Sequence, residues 1–119
     1  MPAAPTRPTV QQHFKDRAPA VRAIYDAILA AAKTFGPVRQ DPKKTSIHLV
    51  RQTAFAGIAT RREALILTLK AAADISSDRI LKRERASTNR WHVELRLSAP
   101  DQVDRQLVTW LRQAYDLAG

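Results

Sequence analysis

The chain has 119 residues and a formal net charge of +9, from 20 Lys and Arg against 11 Asp and Glu, and 45% of its residues are apolar. This length suits one domain with a single core, and the apolar fraction excludes a chain that is disordered throughout. Because the sequence has no cysteine, it excludes disulfide frameworks, thiolate zinc sites and cysteine nucleophiles.

The positive charge is concentrated in the middle of the chain. Residues 37–100 hold 13 of the basic and six of the acidic residues, a net charge of +7. A clustered positive field attracts phosphates. No apolar run approaches the roughly 18 to 20 residues of a membrane span, and the first ten residues lack the apolar centre of a secretory signal. We therefore expect a cytoplasmic protein that makes no use of a membrane.

The first part of the chain predicts a leader, a turn and a helix. Residues 1–8 are rich in proline and predict a disordered leader, so that residues 9–119 form a single α+β domain. Thr9 and Gln12 have the spacing of a capping box and predict a helical turn through Phe14. A longer helix is predicted to begin near Pro19 and to end at Gly36. Its apolar stripe consists of Val21, Ile24, Tyr25, Ile28, Leu29 and Ala32.

From Thr45 the apolar period changes to two, which predicts strands. The first, 45–50, places Ile47 and Leu49 on one face and Ser46, His48 and Val50 on the other. The second, 53–60, has mainly small residues, and the third, 64–71, buries Leu65, Leu67 and Leu69 if Thr68 and Lys70 face outward. The residues between the last two strands, 61–63, form a short charged hairpin.

Two further strands are predicted after a loop at residues 74–77. One covers residues 80–86, and the turn residues 87–89 follow it. The other, 90–97, alternates best of all and is predicted to direct Trp91 and three aliphatic residues into the core. Its outward face carries Arg90, His92, Glu94 and Arg96.

A closing helix is predicted after this strand, with Ser98 as its N-cap and Pro100 in its first turn. Its apolar stripe consists of Val103, Leu107, Trp110, Leu111 and Ala114. Two helices with one stripe each suffice to cover one face of a sheet. The predicted fold is thus a two-layer α+β domain, with a four- or five-stranded, mainly antiparallel sheet and both helices on one face.

Several segments in this order resemble a known bacterial family. They are residues 35–38, 41–49, 53–57, 89–92 and 103–112, and the chain is similar to domain of unknown function 5655 from Thr9 to its end. The resemblance implies a complete domain but transfers no catalytic residue. Similar domains stand alone or beside uncharacterised or nuclease-like domains, which points towards nucleic-acid biology.

The uncovered sheet face is the candidate site. The small residues of the second strand leave a shallow trough there, because Gly and Ala do not fill space above a sheet. Lysine and arginine supply charge-assisted hydrogen bonds to anions, and histidine adds a titratable donor. The predicted ligand-binding residues are Lys44, His48, Lys70, Arg90, His92, Glu94 and Arg96. The alternative is a solvated strand face, whose charges prevent aggregation.

We therefore expect a binding module without catalytic residues, metal or cofactor, and among anionic ligands nucleic acid is the class we favour. Two other functions remain open. His48, His92 and Glu94 together form a two-histidine, one-carboxylate set, which would suit a small enzyme or a metal-binding protein. The open sheet could also dock a second copy of the chain or another partner.

Overall fold

The computed structural model describes residues 8–119, so most of the predicted leader lies outside the described residues. Thr9 and Gln12 exchange the expected hydrogen bonds, from the Thr9 amide to Gln12 Oε1 (3.0 Å) and from the Gln12 amide to Thr9 Oγ1 (3.3 Å). A 3₁₀ turn follows over Gln11–Phe14. The capping residues thus form the predicted turn.

The fold consists of two helices and six strands in the described residues. The helices are α1 (Pro19–Lys33) and α2 (Arg105–Leu117). The strands are β1 (Arg39–Pro42), β2 (Ile47–Val50), β3 (Ala54–Thr60), β4 (Leu65–Ala71), β5 (Lys82–Ser87) and β6 (Arg90–Leu97). All pairings are antiparallel and the strand order is β1-β2-β3-β4-β6-β5. The α+β class is confirmed, but the predicted four or five strands are six.

The strand missing from the prediction is β1. Its sequence, Arg-Gln-Asp-Pro, shows no apolar alternation, because an edge strand needs only its backbone to pair. One of its side chains contacts the helix layer: Gln40 accepts a 2.6 Å hydrogen bond from the hydroxyl of Tyr25 on α1. Burial, the largest influence, raises the pKa of Tyr25 to about 12.

The core lies between the helices and one face of the sheet. Leu65, Leu67 and Leu69 on β4 are fully buried, as the period of two predicts. They pack against residues of α1 and α2 that belong to the predicted stripes, namely Val21, Ile24, Tyr25, Ile28, Ala32, Leu107, Leu111 and Ala114. Neither helix has the length and apolar character needed to cross a bilayer.

An irregular register between β2 and β3 overturns one prediction. Leu49 pairs with Ala56 but Val50 pairs with Ala54, so β3 has one extra residue at this point. As a result Phe55 is buried and contacts the ring of Tyr115 on α2 at 5.2 Å. Val50, predicted to face outward, is only 6% exposed.

The predicted position of Trp91 is also wrong. It has the parity of the buried residues Val93 and Leu95 but is half-buried and stands outside the core cluster. Its partner in β4 is Ala71, at the end of the strand, so the helices cover it incompletely. The guanidinium of Arg85 lies 5.9 Å from its ring centroid.

Ser98 does not cap the closing helix. Residues Pro100–Gln102 form a separate 3₁₀ turn, and the Ser98 amide donates to Gln102 Oε1 (2.6 Å). The N-cap of α2 is Asp104, whose Oδ1 accepts from the Leu107 amide at 3.0 Å. Arg79 donates from Nη1 to both Asp104 carboxylate oxygens, at 2.9 and 3.1 Å, and so joins the β4–β5 loop to the start of α2.

Candidate functional site

The open face of the sheet has a definite register across all six strands. Directly paired residues share a face. One row therefore crosses the sheet from β1 to β5 and contains Asp41, His48, Gly57, Thr68, Glu94 and Lys82. A second row places Lys70 of β4 beside His92 of β6 and Glu84 of β5. The period of two predicted the outward direction of His48, Lys70, His92 and Glu94 correctly.

A groove of about 410 Å³ lies over β3, at the centre of this face. It is lined by Ser46, His48, residues 54–59 of β3, Thr68, Leu69, Lys70 and His92. Its size falls within the range of about 300–1,000 Å³ typical of small-molecule sites. The trough predicted from the small residues of β3 is therefore present, and we call it the β3 groove.

Gly57 forms the middle of the floor. A Cβ atom built on it would lie 3.8 Å from Thr68 Cβ and 3.9 Å from His48 Cδ2, which are ordinary contact distances. The backbone there does not require glycine, because a Cβ atom fits at ordinary contact distances. What the glycine does is leave the space between His48 and Thr68 unfilled.

Lys70 supplies the positive charge at one end of the β3 groove. Its Nζ donates to Thr53 Oγ1 at 3.1 Å, and its directly paired neighbour is His92. Thr53 was not predicted as a site residue. It precedes β3, and only the fold brings its hydroxyl to a lysine 17 residues away.

Two acidic residues of the open face, Asp41 and Glu94, lie within ion-pair distance of a lysine. Asp41 pairs with Lys43 at 2.9 Å, and the hydrogen bond from that lysine is the main reason that the pKa of Asp41 lies below its usual range. Glu94 lies 3.9 Å from Lys82. Glu84, beside His92, has no ion-pair partner within the described residues.

All four of the predicted lysines and arginines, by contrast, lack an acidic partner within the described residues. Lys44, Lys70, Arg90 and Arg96 make no ion pair among residues 8–119. The guanidinium of Arg90 donates to the carbonyl of Asn89, at 2.8 Å. Lys44 lies in the loop between β1 and β2, two residues before Ser46, which lines the groove.

Apart from Lys44, which lies in the β1–β2 loop outside the groove lining, the structure divides the predicted residues into two groups. His48, Lys70 and His92 line the β3 groove. Arg90, Glu94 and Arg96 share the open face but lie on β6, outside the groove lining. Among the predicted lysine, arginine and glutamate residues, Lys70 is thus the one that lines the groove.

His48 and Glu94 are not brought together. Three strand spacings separate them, about 14 Å at about 4.8 Å per spacing. Ligands of one zinc ion bind within about 2.0–2.3 Å of it, so these residues and His92 do not form one metal centre. No group of three His, Asp or Glu residues in the described part of the chain is arranged to hold a metal ion. The geometry gives the metal alternative no support.

Comparison with known proteins gives one match. The family model described as Domain of unknown function (DUF5655) matches residues 10–118. No curated protein and no solved structure matches the chain.

Proposed function

The chain belongs to the DUF5655 family, and we propose that it is a non-catalytic binding module that holds an anionic ligand on its open sheet face. Nucleic acid is the ligand class we favour, and the cytoplasm is the location we propose for this binding. The observation that carries the proposal is the charge balance of the face. Among residues 8–119, two of its acids, Asp41 and Glu94, have lysine partners and Glu84 has none, whereas all four of the cations Lys44, Lys70, Arg90 and Arg96 are without an acidic partner.

An unpaired cation beside a groove is suited to an anion for an energetic reason. A lysine in an ion pair must break that pair to contact a phosphate, whereas the partner that residues 8–119 give Lys70 is a neutral hydroxyl. Hydrogen bonds to charged groups contribute about 1.5–3 kcal/mol each, more than neutral ones.

Charge on the rest of the face would extend the contact. Arg96 is paired with Ile66, and Arg90 is the first residue of β6, about 20 Å from Arg96 along the strand. Both arginines therefore lie on the β6 side of the groove, near opposite ends of that strand. Lys44 lies in the loop between β1 and β2, on the other side of β3. A ligand with several phosphates can therefore meet separate cations along the face, which is the arrangement expected for a polyanion.

The test is binding of a labelled oligonucleotide, measured by fluorescence anisotropy over a range of salt concentrations. We expect affinity to fall steeply with salt, by about 0.7–0.9 log units per log unit of salt for each phosphate neutralised. Lys70→Gln should weaken binding about tenfold and reduce the salt slope by about one. The glutamine keeps a donor for Thr53, so the charge is the main change.

Lys33→Gln is the matched control, because Lys33 is exposed at the end of α1, in the helix layer, and makes no ion pair in the described chain. It removes the same charge from the opposite side of the protein. The proposal is wrong if no oligonucleotide binds at low salt. It is equally wrong if Lys33→Gln weakens binding as much as Lys70→Gln, since the open face would then have no special part.

A further inference from the structure

We infer that the β3 groove takes a single nucleoside phosphate unit, with its base over Gly57 and its phosphate at Lys70. The inference rests on the proposed function and adds the form of the ligand. A free nucleotide and an unpaired nucleotide of a single strand share this chemistry, whereas a duplex keeps its bases stacked inside.

The first argument is the shape of the groove. Its lining includes Gly57 and Ala59, which share the open face, and the nearest side chains to a Cβ on Gly57 would be those of His48 and Thr68. Such a lining offers a flat apolar surface with an imidazole at its edge. Histidine is among the aromatic side chains on which unpaired bases stack in protein complexes. A flat heterocycle therefore fits this space better than a sugar or a bare phosphate.

The second argument is the distance between the apolar and charged parts. Lys70 lies two residues along β4 from Thr68, the partner of Gly57, so the two rows are about 7 Å apart. At that end the groove also has the Thr53 hydroxyl and His92. A nucleotide has this arrangement, because a short polar linker joins its flat base to its anionic phosphate.

The third argument is the distribution of charge on the rest of the face. Glu94 and Glu84 stand among the cations of β5 and β6, so the face has no continuous basic stripe. A duplex backbone presents phosphates at regular short intervals and requires such a stripe. The groove, by contrast, presents one apolar hollow and one charged end, which favours an unpaired nucleotide.

The experiment compares three ligands: adenosine and uridine monophosphates, a single-stranded oligonucleotide, and the duplex of the same sequence. Each is titrated by calorimetry or anisotropy into the full chain and into Gly57→Val, whose side chain fills the hollow and suits a strand. We expect the single strand to bind more tightly than the duplex. Gly57→Val should weaken its binding by about tenfold or more, the loss of one stacked base.

Ala86→Val is the matched control, because it adds a similar side chain to an exposed strand position of β5 outside the groove. It should change affinity less than about twofold. If Gly57→Val does not fold, His48→Ala tests the same hollow by removing one of its sides. Thermal unfolding of each variant establishes that the fold is intact.

The outcomes separate the two proposals. If Lys70→Gln weakens binding but Gly57→Val and His48→Ala do not, the anionic site stands and the inference about the groove is overturned. Equal affinity for duplex and single strand overturns it as well. Binding of monophosphates that is sensitive to Gly57→Val supports it with a free nucleotide as ligand, and the same sensitivity with the oligonucleotide alone supports it with a single strand. If no nucleic acid or nucleotide binds, both proposals fail.

Discussion

Replacing two glycines by alanine should have opposite effects on stability, and this difference tests whether the β3 groove is spare space. Gly57 has room for a Cβ, with its nearest contacts at 3.8 and 3.9 Å. Glycine within a strand costs about 0.5–1 kcal/mol relative to alanine, because it loses more conformational entropy on folding. Gly57→Ala should therefore leave the free energy of unfolding unchanged or raise it by up to about 1 kcal/mol.

Gly36 is constrained both in its backbone conformation and in the space available for a Cβ atom. Its φ is +151°, in the region that side chains rarely adopt, and a Cβ would lie 2.5 Å from the Tyr115 hydroxyl oxygen. Tyr115 has little freedom to move, since it is 3% exposed, contacts the rings of Phe35 and Phe55, and donates to the carbonyl of Pro37. Strained backbone of this kind costs about 1–3 kcal/mol. Gly36→Ala should lower the free energy of unfolding by at least about 2 kcal/mol.

Urea unfolding followed by circular dichroism measures both values. For a domain of this size a change of about 1 kcal/mol shifts the thermal midpoint by about 3–6 °C, so melting curves provide a second measure. If Gly57→Ala lowers the free energy of unfolding by more than about 1 kcal/mol, the space over β3 is needed by the fold. The β3 groove would then not be space that is available to a ligand.

Three further predictions concern the polar contacts of the fold. Asp104→Ala should cost about 1–2 kcal/mol in unfolding experiments, through the lost N-cap, with Asp101→Ala as a near-neutral control. Hydrogen bonds from the Leu107 amide and from Arg79 lower the pKa of Asp104. The stability that this carboxylate contributes is therefore present above its unfolded pKa and is lost as the pH falls through its folded pKa. Asp104→Asn should reduce this sensitivity of the stability to acid. The pKa of Tyr25 in the folded protein is raised from 10.0 to about 12, so the free energy of unfolding should fall as the pH rises between those values. Ultraviolet titration of the Tyr115→Phe variant, in which Tyr25 is the one remaining tyrosine, checks this pKa.

Local patterns were sufficient for the elements whose burial is regular. The span of β6, residues 90–97, was predicted to the residue, and the outward direction of Lys70 followed from the leucines beside it. The start of α1 at Pro19 followed from the suitability of proline for the first helical turn. Each of these depends on neighbours within a few residues along the chain.

Features that depend on distant pairing could not be predicted in this way. Ser98 and Asp104 both have side chains able to cap a helix, and only the fold brings Arg79 to Asp104. The extra residue of β3 that buries Phe55 depends on its register with β2. The separation of His48 from Glu94 depends on strand order, since β5 lies at the edge and β6 pairs with β4.

The choice between a ligand site and a solvated surface depends on the central strand. A solvated face accounts for the alternating charges of β6, because such charges prevent edge pairing and aggregation. It does not account for Gly57 on the third of six strands, where there is room for a Cβ atom and where β-branched residues generally stabilise a sheet. A solvated face would gain from Gly57→Val and lose no function, whereas a nucleotide site gains the same stability and loses its ligand. Stability and binding measured on this one variant therefore distinguish the two interpretations.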